Sequence, residues 1–322
     1  MTNKTKIVTV TLNPAIDLAC TAPEFMAGQV NRVVSSRTDA GGKGVNIARL
    51  LRLFELPVTA TGFLGQENPH IFEKLFVDTG IDDAFVRVPG ETRIGIKILD
   101  PSTHTTTDLN LPGLSPGQEH LQTLLNVVEQ QAHEANILIV AGSLPVGLAP
   151  ETLSQLVATA KGQGTKVFVD TSGPALHHAI EAKPALVKPN IDELSEYVGR
   201  SLAGIEDAVV EARKLVAAGI EHVVVSLGEQ GAIFVGKEGI VQTQPPEMTA
   251  VSTVGAGDAM VGSFAAGLTL NLSLADSARL ATAVSAAVVT HAGPGLSSLE
   301  GVKAIEQQVQ VTVRTYDGGT DE

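Results

Sequence analysis

From residue 118 onward, short and almost unbroken apolar runs alternate with segments of helical period. That alternation narrows the possible architectures more than any other feature of the chain. The runs are Ile137-Leu138-Ile139-Val140-Ala141, Val167-Phe168-Val169-Asp170, Ala185-Leu186-Val187 and Val223-Val224-Val225. A strand that is apolar at every position has no face to give to water, so it belongs inside a parallel sheet covered on both sides. Helices are expected between the runs, over 118–133, 150–161, 175–181 and 206–218, and buried near 275–292. Before them come a strand at 7–12, closed by Asn13-Pro14, a helix over 47–54, a strand at 58–64 and a helix over 68–80 stopped by Gly80. Two stretches break the pattern. Residues 18–36 are irregularly apolar and fit short strands. Residues 93–99 alternate with a period near two and join a threonine-rich stretch, 103–111, through Asp100-Pro101-Ser102, as a hairpin does. The expectation is an α/β/α core with a mostly parallel sheet (1–12, 38–91 and 113–322) and a small β lid (13–37 and 92–112). A chain of 322 residues can bury a core of that size.

Chemistry concentrates in three glycine- and polar-rich stretches. In Ser252-Thr253-Val254-Gly255-Ala256-Gly257-Asp258, three residues without bulk precede an apolar run that reads as a buried helix. Unpaired amides and the helix dipole make such a turn an anion site. A carboxylate there would repel a permanent anion. Asp258 makes sense as a base beside a short-lived one, which is the arrangement of phosphoryl transfer. The plainer alternative is a helix cap on a glycine turn. Gly41-Gly42-Lys43-Gly44-Val45-Asn46 also opens a helix but lacks the spacing of a Walker loop. It reads as a substrate cradle with Lys43 and Asn46 as donors, or as a helix entry with an exposed lysine. In Lys188-Pro189-Asn190-Ile191-Asp192-Glu193, Glu193 and Asn190 offer oxygens of the kind magnesium takes through its retained waters. The same two residues suit a helix cap, and both readings can hold at once. Ser143, Asp170, Lys188, Asn190, Glu193, Ser226 and Asp258 all follow strands, so one crevice at the carboxyl ends can collect them.

A net charge of −13 argues against a nucleic-acid partner, and an anionic substrate must rely on a local basic patch. The single Cys20 excludes an internal disulfide framework and a cysteine-rich metal site. No apolar run is long enough to read as a membrane span, and the polar N-terminus does not read as a signal peptide, so the cytoplasm is expected.

Taken in order, Gly41-Gly42-Lys43-Gly44-x-Asn46, Lys188-Pro189-Asn190-x-x-Glu193 and Thr253-Val254-Gly255-Ala256-Gly257-Asp258 resemble the PfkB sugar kinases of the ribokinase-like superfamily, over nearly the whole chain. Leu12-Asn13-Pro14-Ala15-x-Asp17, Thr92-Arg93-Ile94 and Asp108-Leu109-Asn110 look like its phosphosugar branch. The stretches 224–228 and 251–262 look closest to the bacterial kinases of fructose 1-phosphate. The resemblance implies that Asp258 is the catalytic base and that the amides of Gly255, Ala256, Gly257 and Asp258 form an anion hole. It implies ATP contacts from Lys188, Asn190, Ser226, Gly228, Thr253, Gly255 and Gly257, with magnesium held by Glu193 and Asn190 through water. Sugar contacts are implied for Asp17, Gly41, Gly42, Lys43, Asn46 and Ser143, with Arg93, helped by Lys43, on the sugar's existing phosphate. It also implies a homodimer formed through the lid. Fructose 1-phosphate is the expected substrate, with tagatose 6-phosphate or fructose 6-phosphate as alternatives. A non-catalytic sugar-phosphate sensor is less expected, because a sensor needs no base.

Overall fold

The computed structural model describes residues 5–103, 105–291, 293 and 295–315. The chain opens with β1 (Ile7–Thr11), β2 (Ala15–Thr21), β3 (Ser35–Gly41), α1 (Lys43–Leu53), β4 (Val58–Gly65) and α2 (His70–Thr79). Next come β5 (Asp82–Asp83), β6 (Val86–Val88), β7 (Ile94–Asp100), β8 (Thr105–Asn110) and α3 (Gln118–Glu134). The regular alternation follows as β9 (Ile137–Ala141), α4 (Thr152–Gly162), β10 (Lys166–Asp170), α5 (Pro174–Glu181), β11 (Leu186–Val187), α6 (Ile191–Val198), α7 (Ile205–Ala217) and β12 (His222–Ser226). The chain then runs through β13 (Ala232–Gly236), β14 (Gly239–Gln244), α8 (Ala256–Thr269), α9 (Leu274–Val289), α10 (Val302–Glu306) and β15 (Gln310–Arg314).

The large sheet runs β15-β14-β13-β12-β11-β10-β9-β1-β4-β5, with β6 also on β4. Pairing is parallel from β12 to β5 and antiparallel among β12, β13, β14 and β15. Alternation within β1 shows why the sheet needs cover on both sides. Val8 and Val10 pack with Leu124, Leu156 and Leu176 of α3, α4 and α5, whereas Ile7 packs with Ile47, Leu51 and Phe264 of α1 and α8. The three-layer architecture expected from the apolar runs is therefore present. Among the described residues no helix is long and apolar enough to cross a membrane.

β1 lies between β4 and β9, the strands that follow it in opposite directions across the sheet. That reversal opens a crevice at the carboxyl ends of β1 and β9. Over it stands a second, mixed sheet, β3-β2-β7-β8, the lid.

Three local expectations change. Residues 18–36 hold the end of β2 and the first residues of β3 with an irregular loop between them, where the Asp100 carboxylate accepts the Glu24 and Phe25 amides and ties the chain down. β3 runs to Gly41, and α1 begins at Lys43, four residues earlier than its apolar period. Lys43 and Asn46 thus share the helix's first turn. The edge strand β15 is an addition, and the loose tail expected after Arg314 lies, from residue 316, outside the described residues.

Candidate active site

Asp258 sits in the first turn of α8, whose N-cap is Gly255 at φ 86°, a left-handed conformation open to glycine at little cost. The Ala256 amide is committed to the Thr253 carbonyl at 3.3 Å, and the amides of Gly257 and Asp258 belong to the first turn, which has no carbonyl of its own helix to receive them. The carboxylate is only 6% exposed and accepts one hydrogen bond, from Asn46 Nδ2 at 2.8 Å. The other end of that amide, Asn46 Oδ1, is buried and has no partner. Burial and the nearby negative charge of Asp170 push the Asp258 carboxyl up to about 6, against the opposing pull of Asn46, Lys43 and Lys188.

Asp170 ends β10 and is 1% exposed. Lys43 Nζ lies 3.3 Å from both of its oxygens, and Lys188 Nζ lies 3.4 Å from Oδ1. Burial alone would raise the Asp170 carboxyl, but Lys188 and Lys43 outweigh it and hold the group below the usual carboxylate range. Lys188 also reaches the glycine turn: a Cβ on Gly257 would stand 3.4 Å from its Nζ. One buried carboxylate thus gathers a lysine from the first glycine loop and another from the middle motif beside the candidate base.

Asn190 and Glu193 form a reciprocal cap at the start of α6. The Glu193 amide donates to Asn190 Oδ1, and the Asn190 amide donates to Glu193 Oε2, both at 2.8 Å. The cap leaves the second Glu193 oxygen available. Asn190 bridges to Ser226 at the end of β12, and Gly228, at φ 61°, opens the turn after it. Thr253 follows Val251 and Ser252, whose amides donate to the Val289 carbonyl at the end of α9. Lys188 and Asn190 thus follow β11, and Ser226 ends β12 with Gly228 close behind it.

Asp17, on β2, is pinched between two glycines. A Cβ on Gly41 would strike Asp17 Oδ2, and one on Gly95 would stand 2.9 Å from Oδ1. Gly42, at φ 124°, lies so close to Thr11 and Pro14 that a Cβ there would come within 2.8 Å of Thr11 Cγ2. Burial raises the Asp17 carboxyl, moderated by Lys97 and Arg93. Arg93 donates to Asn110 Oδ1 at 3.2 Å and to the Asn13 carbonyl at 3.4 Å, and its Nε is buried without a partner. Asn13 in turn donates to Ser143 Oγ at 3.2 Å. The contacts join Asn46 to Asp258, Lys43 and Lys188 to Asp170, and Arg93 through Asn13 to Ser143. Lys43 is held at Asp170, near the base, and the ammonium beside Asp17 is that of Lys97, 3.6 Å from Oδ1. Neither Asp170 nor Lys97 is assigned a role by the motifs of the sequence. For Asp170 the signal was its place at a strand's end; for Lys97 it was the period-two spacing from Arg93.

Comparison with known proteins gives the same picture. The model for the pfkB family of carbohydrate kinases matches residues 4–300. A 1-phosphofructokinase of Rhodobacter capsulatus is 44% identical over 307 residues, 95% of this chain and 97% of the relative. The solved phosphofructokinase-2 of Escherichia coli, in complex with fructose-6-phosphate, superposes with a TM-score of 0.86 at 32% identity, covering 94% of this chain and 99% of that one. The same E. coli protein, solved as a tetrameric inhibited form, superposes at 0.88 with the same coverage. That tetramer overturns the homodimer expected through the lid, since a sheet of this kind does not by itself limit a relative's assembly to two copies. With a family model across most of its length and relatives alike over nearly all of it, the chain belongs to the pfkB family of carbohydrate kinases.

Proposed function

We propose that the protein transfers the γ-phosphoryl group of ATP to the free primary hydroxyl of fructose 1-phosphate, giving fructose 1,6-bisphosphate. The observation that carries the reading is Asp258: a buried carboxylate, oriented by Asn46, at the N-terminus of a buried helix whose glycine turn faces the same space. Likeness to a 1-phosphofructokinase over 95% of the chain supports the choice of sugar.

In this reading Asp258 takes the proton of the attacking hydroxyl as that oxygen bonds to phosphorus and the bond to ADP breaks. Asn46 Oδ1 accepts from a neighbouring sugar hydroxyl, which would satisfy its buried lone pairs. Asp17 and Ser143 hold further hydroxyls, and Gly41 and Gly42 let the sugar approach the backbone. Gly257 and Asp258 amides face the migrating phosphoryl group, while Gly255 and Ala256 shape the turn. Lys188 and Lys43, fixed on Asp170, stand where negative charge passes from ATP to the sugar. Asn190, Ser226, Gly228 and Thr253 line the nucleotide's rim.

Among the described residues no group of three or more His, Cys, Asp or Glu is placed to cage a metal. The residues fit a magnesium ion that keeps several waters: Glu193 has one oxygen left over from the cap, and Asn190 orients it. When bound, magnesium neutralises charge on the phosphates. The cytoplasm is the proposed compartment, and the division into core (1–12, 38–91, 113–322) and lid (13–37, 92–112) is the proposed domain organisation.

A second reading, phosphorylation of a 6-phosphate ketohexose, draws on the fructose-6-phosphate bound to the E. coli relative. A coupled assay across fructose 1-phosphate, fructose 6-phosphate, tagatose 6-phosphate and fructose decides between them. The highest kcat/KM is expected on fructose 1-phosphate; a higher value on another sugar rejects the first reading.

A further inference from the structure

The cations about the crevice divide by what holds them. Lys43 and Lys188 share Asp170, and the charges felt by Lys43 are those of Asp170, Asp258 and Glu193, all on the side where phosphoryl transfer would occur. Asp17 feels Lys97 and Arg93, with Asp39 opposing. Lys97 Nζ lies 3.6 Å from Asp17 Oδ1 and 3.6 Å from Asp108 Oδ1. From these positions we infer that Lys97, beside Arg93, is the second cation that receives the phosphate already on the sugar, and so helps determine specificity. The inference rests on the phosphosugar-kinase reading above.

The strand's geometry makes the pair. Residues two apart on a strand share a face, so Arg93, Gly95 and Lys97 follow one another along one side of the chain leading into and through β7. Gly95 lies opposite Asp17 in the parallel register with β2 and leaves room for its carboxylate. The carboxylate is thereby flanked by two cations along the strand. A sugar whose hydroxyls reach Asp17 must bring its phosphate close to that carboxylate, and in a partly buried site their repulsion is strong. A cation between the two removes the conflict. Lys97 has the freedom to act so: both of its carboxylate contacts are longer than a hydrogen bond, and an ammonium carries three donors. Arg93 contributes a buried Nε with no acceptor. Lys43, held at Asp170, stays with the transferring group.

The test uses the full-length protein with Lys97→Met, which keeps the stem and removes the charge, and Lys97→Arg, which keeps the charge. Steady-state kinetics on fructose 1-phosphate and on fructose are paired with competitive inhibition by inorganic phosphate. A charge-assisted hydrogen bond corresponds to about 10- to 100-fold in affinity. Lys97→Met is therefore expected to raise KM for fructose 1-phosphate by about that factor and to weaken phosphate inhibition similarly. Its kcat/KM on fructose should fall by a clearly smaller factor than on fructose 1-phosphate, because free fructose shares only the contact through Asp17. Lys97→Arg should recover most of the loss. Equal losses on both sugars with unchanged phosphate inhibition would overturn the inference, leaving Lys97 only a brace for Asp17 and the β7–β8 hairpin. No change in either would overturn it too, as would an Arg variant that folds but recovers nothing. If the wild type prefers a different phosphosugar, the proposed substrate fails on its own, and the same comparison with that sugar still decides the role of Lys97.

Discussion

Asp258 carries opposite consequences for rate and for stability. A base works only when ionised, and this carboxyl is raised from 3.8 to about 6 by burial and by Asp170. The kcat/KM profile should fall about tenfold per pH unit below roughly 6. Asp170→Asn removes the opposing charge and releases two lysines, so it should move that limb to lower pH; an unmoved limb would detach Asp170 from the base. Asp258→Asn should cut kcat by about 10²–10⁴-fold, because an amide takes no proton, and a variant with near wild-type kcat would remove Asp258 from the mechanism. The sign for stability is reversed. A carboxyl whose folded pKa lies above its unfolded value binds protons better when folded, so keeping it ionised at neutral pH costs stability. A rise of about two units corresponds to about 3 kcal/mol at most. Asp258→Asn should therefore raise the urea midpoint at pH 7.5, and the gain should shrink by about half at pH 5. An equal gain at both values would assign it to packing instead of charge.

Among the elements, α6 carries two tasks on one residue. Glu193 closes the helix cap with one oxygen and has the other free. Glu193→Gln keeps an acceptor for the Asn190 amide, so the helix should hold while the magnesium requirement rises several-fold. Glu193→Ala should do the same to magnesium and also cost about 1 kcal/mol of stability through the lost cap. An unchanged magnesium titration in the Gln variant would leave Glu193 with the cap alone. That cap was readable in advance, because Asn190-x-x-Glu193 is a local pattern whose partners are three residues apart. The early start of α1 was harder to read. Its first turn is Lys43-Gly44-Val45-Asn46, and Gly44 is there because a Cβ would press on Thr11 Oγ1 in β1, a contact no helical period reveals.

Across the whole molecule, Arg93 ties the β7–β8 hairpin to the turn that leaves β1, donating to Asn110 on β8 and to the Asn13 carbonyl. With a net charge of −13 the protein offers a dianionic sugar no general attraction, so the local cations must supply it. Arg93→Ala should lose most activity on fructose 1-phosphate and little on fructose, whereas equal losses would mean that Arg93 only supports the lid. Much of this was decided along the chain. Four apolar runs separated by helices admit a parallel sheet and little else, and three glycine or cap motifs mark where its strands deliver chemistry, since turns and caps depend on residues a few places apart. Other features come from strand order. Lys43 finds Asp170, 127 residues away, at the end of a strand two places along the sheet from β1, and Lys97 finds Asp17 because β7 lies beside β2. The sequence put Lys43 with the sugar's phosphate; the fold puts it on Asp170, beside the base. Local backbone preferences act over a few residues and can be read from them, but which charges meet depends on which strands become neighbours, and only the folded sheet sets that.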